Sequence, residues 1–567
     1  DVRVDHNTTA SNSIGWLDYI EINLRSILNM HNNQMLFRDI NTLQFPLSKF
    51  LISNATSNLM IWDVTDPINV ASIHTEFSNN QVEFIDDTNI LKEYVAFYPN
   101  NYLSATMEGS IENQNLHGLS NFEYVIISHP EFLDAANRLA EIYRTKPGHD
   151  YIRSVVVTPN QIYNEFSSGA QDISAIRDFL RMLYKQDDSV LKYALLFGDG
   201  SYDPKDRIQN NTNYIPTFQS LNSTNPTTTY VTDDFFALLD DDEGLFNNDL
   251  IDIGIGRMPV QSLTEAHQMV DKIEAYYGSE SFGDWRNVIT FIADDGDAND
   301  GNVHMWQADS LANIIDAEYN NINIKKLYLD NFEQISTPGG PRSPDMQAAI
   351  NQQIDKGSLL VNYTGHGGEL GWTQERILEV DQINQWSNIN RLPLFMTATC
   401  KFSRFDDPEK TSAGEQVLLN PAGGAIALLS TTRLVYSSPN YNLNTKFINA
   451  LFDEGNTITY RLGDIFKQTK RQSGTSVNNR NFTLLGDPAL RLGIPYYDIH
   501  TTNIKDTIRA LEEVFIEGVI TDAAGNIITD FNGTVFPSVF DKEITATTLG
   551  QESSTPMPYK SQENIIY

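Results

Sequence analysis

Two apolar segments of this chain end in side chains that could together perform acyl transfer. Ser358-Leu-Leu-Val-Asn-Tyr-Thr-Gly-His-Gly-Gly368 runs into His366 set between glycines, which allow close backbone approach and leave N–H groups free. Leu392-Pro-Leu-Phe-Met-Thr-Ala-Thr-Cys400 runs in the same way into the only cysteine of the chain. An imidazole beside a thiol favours the thiolate, and nearby amides can hold the oxyanion of a tetrahedral intermediate. On this reading His366 is general base and acid, Cys400 is the nucleophile, and the amides of Gly367 and Cys400 are the oxyanion donors. A lone cysteine is more often a small buried hydrophobe, so spacing alone leaves both readings open. Trp372, just past the histidine loop, either walls the groove or packs on the sheet, and the wall is the expectation.

Both segments need strands that end at one edge. Apolar runs at Tyr124–Ile127, Ser154–Val157, Tyr193–Phe197, Leu250–Ile255, Val288–Ile292, Ile324–Leu329, Ser358–Asn362, Leu394–Thr397 and Ala425–Leu429 read as strands. Amphipathic windows at Phe132–Tyr143, Ile173–Tyr184, Leu263–Tyr277, Met305–Ile315 and Met346–Ile354 read as helices between them. Such alternation predicts an α/β domain with a mostly parallel sheet covered by helices, its chemistry in loops at the carboxyl ends of strands. Residues 1–120 lack helical periodicity and carry short alternating runs, among them Glu21–Leu24 and Asn58–Trp62, so a β-rich domain is expected there. Residues 121–495 form the α/β domain. From 496 to 567 the pattern returns to β, with hairpin strands at Glu513–Ile520 and Ile527–Phe531 around Ala523-Ala-Gly-Asn526, and an incomplete immunoglobulin-like sandwich is expected.

Composition narrows the function class. With 39 Lys and Arg against 74 Asp and Glu, a net charge of −35 repels phosphate backbones, so no nucleic-acid partner is expected. The acidic clusters read as a solvated surface or, more sharply, as sites for divalent cations. One cysteine excludes an intrachain disulfide framework and any cysteine-based zinc cluster. No run approaches the ~20 apolar residues of a membrane-spanning helix. From the start at Asp1 without a Met or a signal peptide, a processed or excised piece of something longer is expected. Phe197-Gly-Asp-Gly-Ser201 lacks the spacing and the lysine of a phosphate loop, and Thr232-Asp-Asp-Phe-Phe236 reads equally as cleft lining or as an acidic turn.

From about Phe122 to Gly493 the chain resembles the gingipain family of cysteine peptidases. The resemblance lies in Asn362-Tyr-Thr-Gly-His-Gly367, Ala398-Thr-Cys400, Leu195-Leu-Phe-Gly-Asp199, Ile255-Gly-Arg-Met-Pro259, Ala425-Ile-Ala-Leu-Leu-Ser-Thr431 and Leu485-Gly-Asp-Pro-Ala-Leu490. It implies a caspase-like α/β fold and a catalytic His-Cys pair. The family orients its histidine with a carboxylate from an earlier strand end. Here that loop is Ala293-Asp-Asp-Gly-Asp-Ala-Asn-Asp-Gly301, where Asp295 aligns best and Asp294 competes. The chemistry needs no cofactor, while the oxygen-rich loop suits a structural Ca²⁺ without matching an EF-hand. Arginine-specific members hold the substrate guanidinium with an acidic residue just beyond this loop. His304 stands at the nearest position, as a substrate-binding residue or a surface histidine at a helix start, so a basic P1 residue is not favoured.

Strings on both flanks, Gly15-Trp-Leu-Asp-Tyr19 and Phe531-Asn-Gly-Thr-Val-Phe-Pro-Ser-Val-Phe-Asp541, extend the resemblance to sortase-like members of the type IX secretion system. That resemblance implies an enzyme on the extracellular face of the outer membrane. It would cleave C-terminal signal domains from exported proteins and pass the new carboxyl end to anionic lipopolysaccharide, bound to an outer-membrane β-barrel partner. The alternative is a decayed peptidase fold serving as a surface scaffold or adhesin.

Overall fold

The computed structural model describes all residues except 1, 8–16, 18–19, 108, 146–150, 222–224, 245–247, 320, 454–459, 495–496, 510, 523 and 562–567. The flanking string Gly15–Tyr19 therefore falls largely outside the described residues, as does Ala523 of the expected hairpin turn. The chain divides into two compact units, 1–112 and 113–567.

In the first unit, Gln34–Phe37, Tyr94–Phe97, Met60–Asp63 and Ala71–Ser72 form one antiparallel sheet, and Leu47–Ser53, Gln81–Asp87 and Glu76–Ser78 another. Alternation along Leu47–Ser53 sends Phe50 and Ile52 inward, where Phe50 stacks on Phe84 with ring centroids 4.8 Å apart. Glu21–Leu24, expected as a strand, is irregular and exposed.

The second unit is built on a ten-stranded sheet. In chain order its strands are β1 Tyr124–Ser128, β2 Ser154–Val157, β3 Tyr193–Phe197, β4 Gly254–Met258, β5 Val288–Ala293, β6 Asn323–Tyr328, β7 Leu360–Thr364, β8 Leu394–Ala398, β9 Ala427–Thr431 and β10 Phe482–Leu485. Their spatial order is β6-β5-β7-β8-β9-β10-β4-β3-β1-β2, with every pair parallel except β9–β10. β1, β3, β4, β7, β8 and β9 are buried along their whole length, as apolar runs covered on both faces must be. Helices Leu133–Thr145, Ile173–Tyr184, Leu263–Tyr277, Val303–Glu318 and Pro344–Lys356 supply crossovers close to the windows read from periodicity.

Two elements depart from expectation. β4 begins at Gly254, four residues after the predicted start, where its pairing with Tyr193 begins, and its glycines let the backbone of Gly463 and Gly486 pass where a Cβ would come within 2.6 Å. β10, four residues long, was not read as a strand at all, and it reverses the direction of the sheet. No described helix is long and apolar enough to cross a membrane.

The expected C-terminal sandwich does not form among the described residues. Asp498–Asn503 pairs with Glu517–Thr521 and Ile544–Thr547 with Pro558–Ser561, as two separate two-stranded sheets. The predicted Ile527–Phe531 strand makes one bridge, Thr521 to Ile527. The final segment instead packs on the large sheet's unit, with Tyr559 edge-on to Tyr328 at 5.3 Å.

Candidate active site

Register brings the site together. β5, β7 and β8 are neighbours, with Ala293 opposite Thr364 and Thr364 opposite Ala398. Asp294 thus follows the last paired residue of β5, and His366 and Cys400 stand level on adjoining strands, each two residues beyond the last pair. Neighbouring strands lie about 4.8 Å apart. The crevice is a topological switch point, since β5 has β6 on one side and β7 on the other.

Asp294 is the carboxylate that holds His366. Its Oδ2 accepts both the backbone N–H of His366 and the imidazole Nδ1, each at 2.8 Å. This corrects the assignment to Asp295. Asp294 still continues β5, donating its N–H to Thr364 O at 3.1 Å. In extended chain the next side chain points the other way, and Asp295 accepts from Gln334 Nε2 at 2.6 Å. Burial pushes the Asp295 carboxyl up to about 7, opposed by the Gln334 hydrogen bond and assisted by Asp294 and Glu375. The close approach depends on Gly365, because a Cβ there would lie 2.4 Å from Asp294 Cβ. Tyr363 Oη donates to His366 O at 2.5 Å and pins the loop.

The Asp294 hydrogen bond raises the His366 pKa to about 8 against the opposing effect of burial, with Asp297 and Asp300 adding attraction. Nδ1 is thereby committed, which leaves Nε2 as the ring nitrogen that Asp294 does not hold. In this structure Nε2 lies 3.5 Å from Asp297 Oδ2 and 3.7 Å from Asp300 Oδ2. Cys400 Sγ, partly exposed, lies 3.6 Å from Val435 O. Among the described residues no hydrogen bond joins His366 to Cys400. Catalytic hydrogen bonds often tighten only when substrate binds.

The two loops are tied to each other. Arg404, beyond Cys400, pairs with Glu369, beyond His366, at 2.8 Å, and Ala413 N donates to Glu369 O at 2.7 Å. Lys401 has φ +51°, turning the chain sharply after the thiol. A Cβ at Gly367 would come within 2.6 Å of Thr399 Oγ1, so only glycine lets the loops pack this closely. Residues 549–555 tie the carboxylate loop to the segment that follows β6. Gly296 N donates to Ser554 Oγ at 2.7 Å, Thr555 N to Asn302 Oδ1 at 3.0 Å, and Gly550 N and Gln551 N to the Asp330 carboxylate at 2.8 and 2.7 Å.

Two further expectations are corrected. Trp372 is 1% exposed and stacks on Tyr363 at 4.0 Å, so it belongs to the core under the site and does not wall a groove. His304 is not on the surface. It is 6% exposed, and its ring stands edge-on to that of His366, with centroids 4.9 Å apart. Burial holds its pKa below the ordinary histidine value. Asp294, Asp295 and Glu375 form a buried, oxygen-only cluster whose donor type suits Ca²⁺, although Asp294 is already committed to His366.

A family model, Peptidase family C25, matches residues 117–493. The chain belongs to peptidase family C25. It is therefore of the cysteine peptidase type, and the His366 and Cys400 loops lie within the C25 region. No curated protein matches the chain in sequence. Among solved structures it is similar to the Arg-specific cysteine proteinase gingipain R (RgpB), at 17% identity and TM-score 0.52, covering 78% of this chain and 98% of that one. It is also similar to dimeric latent PorU from Porphyromonas gingivalis, at 23% identity and TM-score 0.53, covering 95% of this chain. The chain spans 47% of that PorU chain. The complex of Porphyromonas gingivalis RgpB pro- and mature domains matches at 16% identity and TM-score 0.51, over 78% of this chain and 99% of that one. At these identities the likeness is one of fold.

Sequence reasoning missed Asp297, Asp300, the Glu369–Arg404 tie and Val435. The first two were visible as an acidic loop, but their aim at His366 Nε2 depends on how that loop folds back.

Proposed function

We propose that this C25 peptidase cleaves C-terminal signal domains from type IX secreted proteins and transfers the new carboxyl end to anionic lipopolysaccharide. Cys400 attacks the scissile carbonyl, His366 takes the thiol proton and later gives it to the leaving amine, and Asp294 holds the imidazole through Nδ1. The amides of Gly367 and Cys400 receive the oxyanion. The resulting thioester is resolved by an amine on the acceptor or by water. The enzyme works at the outer face of the outer membrane with a β-barrel partner, and its chemistry needs no cofactor. A structural Ca²⁺ at the carboxylate loop belongs to the same proposal.

The observation that carries the peptidase reading is the register that sets His366 and Cys400 level on adjoining strands with Asp294 on the imidazole. The transfer step rests on the resemblance of both flanks to the secretion sortases. In the test, the chain is incubated, with its barrel partner if required, with a peptide bearing a cleavable C-terminal domain and a panel of amines, and products are followed by mass. Amide products support transfer. Release of only the free acid under every amine leaves an ordinary endopeptidase. A Cys400 that alkylates no faster than free cysteine favours the scaffold alternative.

A further inference from the structure

His304 poses a problem that the peptidase reading does not use. It is the second residue of helix Val303–Glu318 and is 6% exposed, and neither ring nitrogen has a hydrogen-bond partner among the described residues. Buried polar atoms without partners are rare and commonly mark an ion or ordered water. The surroundings favour an ion. His304 Nε2 is 3.8 Å from Asp300 Oδ2, the same oxygen is 3.7 Å from His366 Nε2, and Asp297 Oδ2 is 3.5 Å from that nitrogen. Ligand atoms of Asp300, His304 and His366 all lie within 4.8 Å of one another.

A zinc ion bound at about 2.0–2.1 Å by tetrahedral ligands sets those ligands about 3.3 Å apart. The separations to the Asp300 and Asp297 oxygens exceed this by a few tenths of an ångström, and the two imidazoles lie within the same 4.8 Å cluster, so small side-chain rotations bring the set to bonding distance. Two imidazoles with carboxylates suit zinc-type cations better than Ca²⁺ or Mg²⁺, which prefer oxygen alone. The Asp294 hydrogen bond to His366 Nδ1 is also the arrangement that orients a metal-bound histidine and makes it more basic.

We propose that Asp300, His304 and His366 bind a zinc-type divalent cation that occupies His366 Nε2 and so switches the peptidase off reversibly. Nε2 is the nitrogen the thiol needs, and its lone pair cannot serve metal and proton together. The inhibitory part rests on His366 acting as the base; the site itself does not.

The test titrates Zn²⁺ against a chromophoric chelator in a Cys400→Ala background, which removes the thiol as a competing ligand. One zinc per chain is expected, with affinity reduced about 100-fold by His304→Ala and comparably by Asp300→Asn, whose exposed side chain keeps the test independent of the buried His304 packing. In the unsubstituted enzyme, micromolar Zn²⁺ should inhibit turnover, a chelator should restore it, and Asp300→Asn should raise the inhibitory concentration by a similar factor. Equal zinc affinity in the Cys400→Ala parent and both variants, or no binding at micromolar zinc, overturns the proposal. Tight zinc binding together with no peptidase activity in the unsubstituted chain upholds the site and sinks the catalytic reading instead.

Discussion

The strands β2-β1-β3-β4 and β6-β5-β7-β8 follow one order: each half-sheet places its first strand between its second and third, with the fourth beyond. Because β9 and β10 run antiparallel, the carboxyl ends of the two halves face opposite edges. The residue after the first strand is His129 in one half and Asp294 in the other. Two residues past the third strand stand Asp199 and His366, and two past the fourth stand Val260 and Cys400.

The first half has no nucleophile at that position, and its polar groups are spent on structure. Arg257, fully buried, donates to Gly198 O, Ile215 O and Pro216 O and to both oxygens of Asp233. Asp199 accepts from Gln261 Nε2 at 2.9 Å and from Gly200 N at 2.8 Å, and burial together with Glu415 pushes its carboxyl well above the usual range. Asp487 accepts the hydroxyls of Tyr124 and Tyr143. In the second half the imidazole and the thiol remain accessible. Topology makes a crevice in each half, and chemistry arises only where the strand-end groups are left with an unused atom.

The largest effects should separate the halves cleanly. Cys400→Ala should abolish peptidase activity at unchanged melting temperature, whereas Arg257→Met should cost about 3–5 kcal/mol of stability by leaving Asp233 buried and unpaired. Denaturant melts and turnover on both variants check this; a Cys400→Ala protein that turns over, or an Arg257→Met protein as stable as the parent, breaks the contrast.

Next come the carboxylates. Asp294→Asn should lower kcat at least about 100-fold, since it loses the partner that fixes the imidazole. Asp295→Asn, facing Gln334, should change it less than about threefold, as a side chain that only touches a neighbouring loop would. Kinetics of the two single variants decide the assignment, and a larger loss for Asp295→Asn reverses it.

The smallest effect is in pH. The folded pKa of His366 is raised to about 8, so the Asp294 pairing contributes fully below the unfolded value near 6.5 and is lost as pH rises through about 8. With the imidazole 47% exposed, solvent screening holds the contribution below about 1 kcal/mol. The stability difference between the parent and Asp294→Asn should therefore be greatest near pH 6 and gone by pH 9. A difference independent of pH would show that the pair is not an ion pair in solution.

Local patterning determined a good deal about this protein. Apolar runs long enough to be covered on both faces marked nine of the ten central strands, and glycines around His366 with a lone cysteine at a strand end marked the two loops of the candidate site. These are properties of neighbours in the chain, so periodicity and residue type report them. Tertiary structure alone decided what depends on register and on chain segments far apart. Asp294 rather than Asp295 faces the histidine because β5 continues one residue past its last pair, a matter of which way one side chain points. Trp372 and His304 were assigned to open positions because neither residue type nor spacing records what packs over them. The tie from residues 549–555, and the short β10 that turns half the sheet around, join segments hundreds of residues apart, and only the folded chain brings them together.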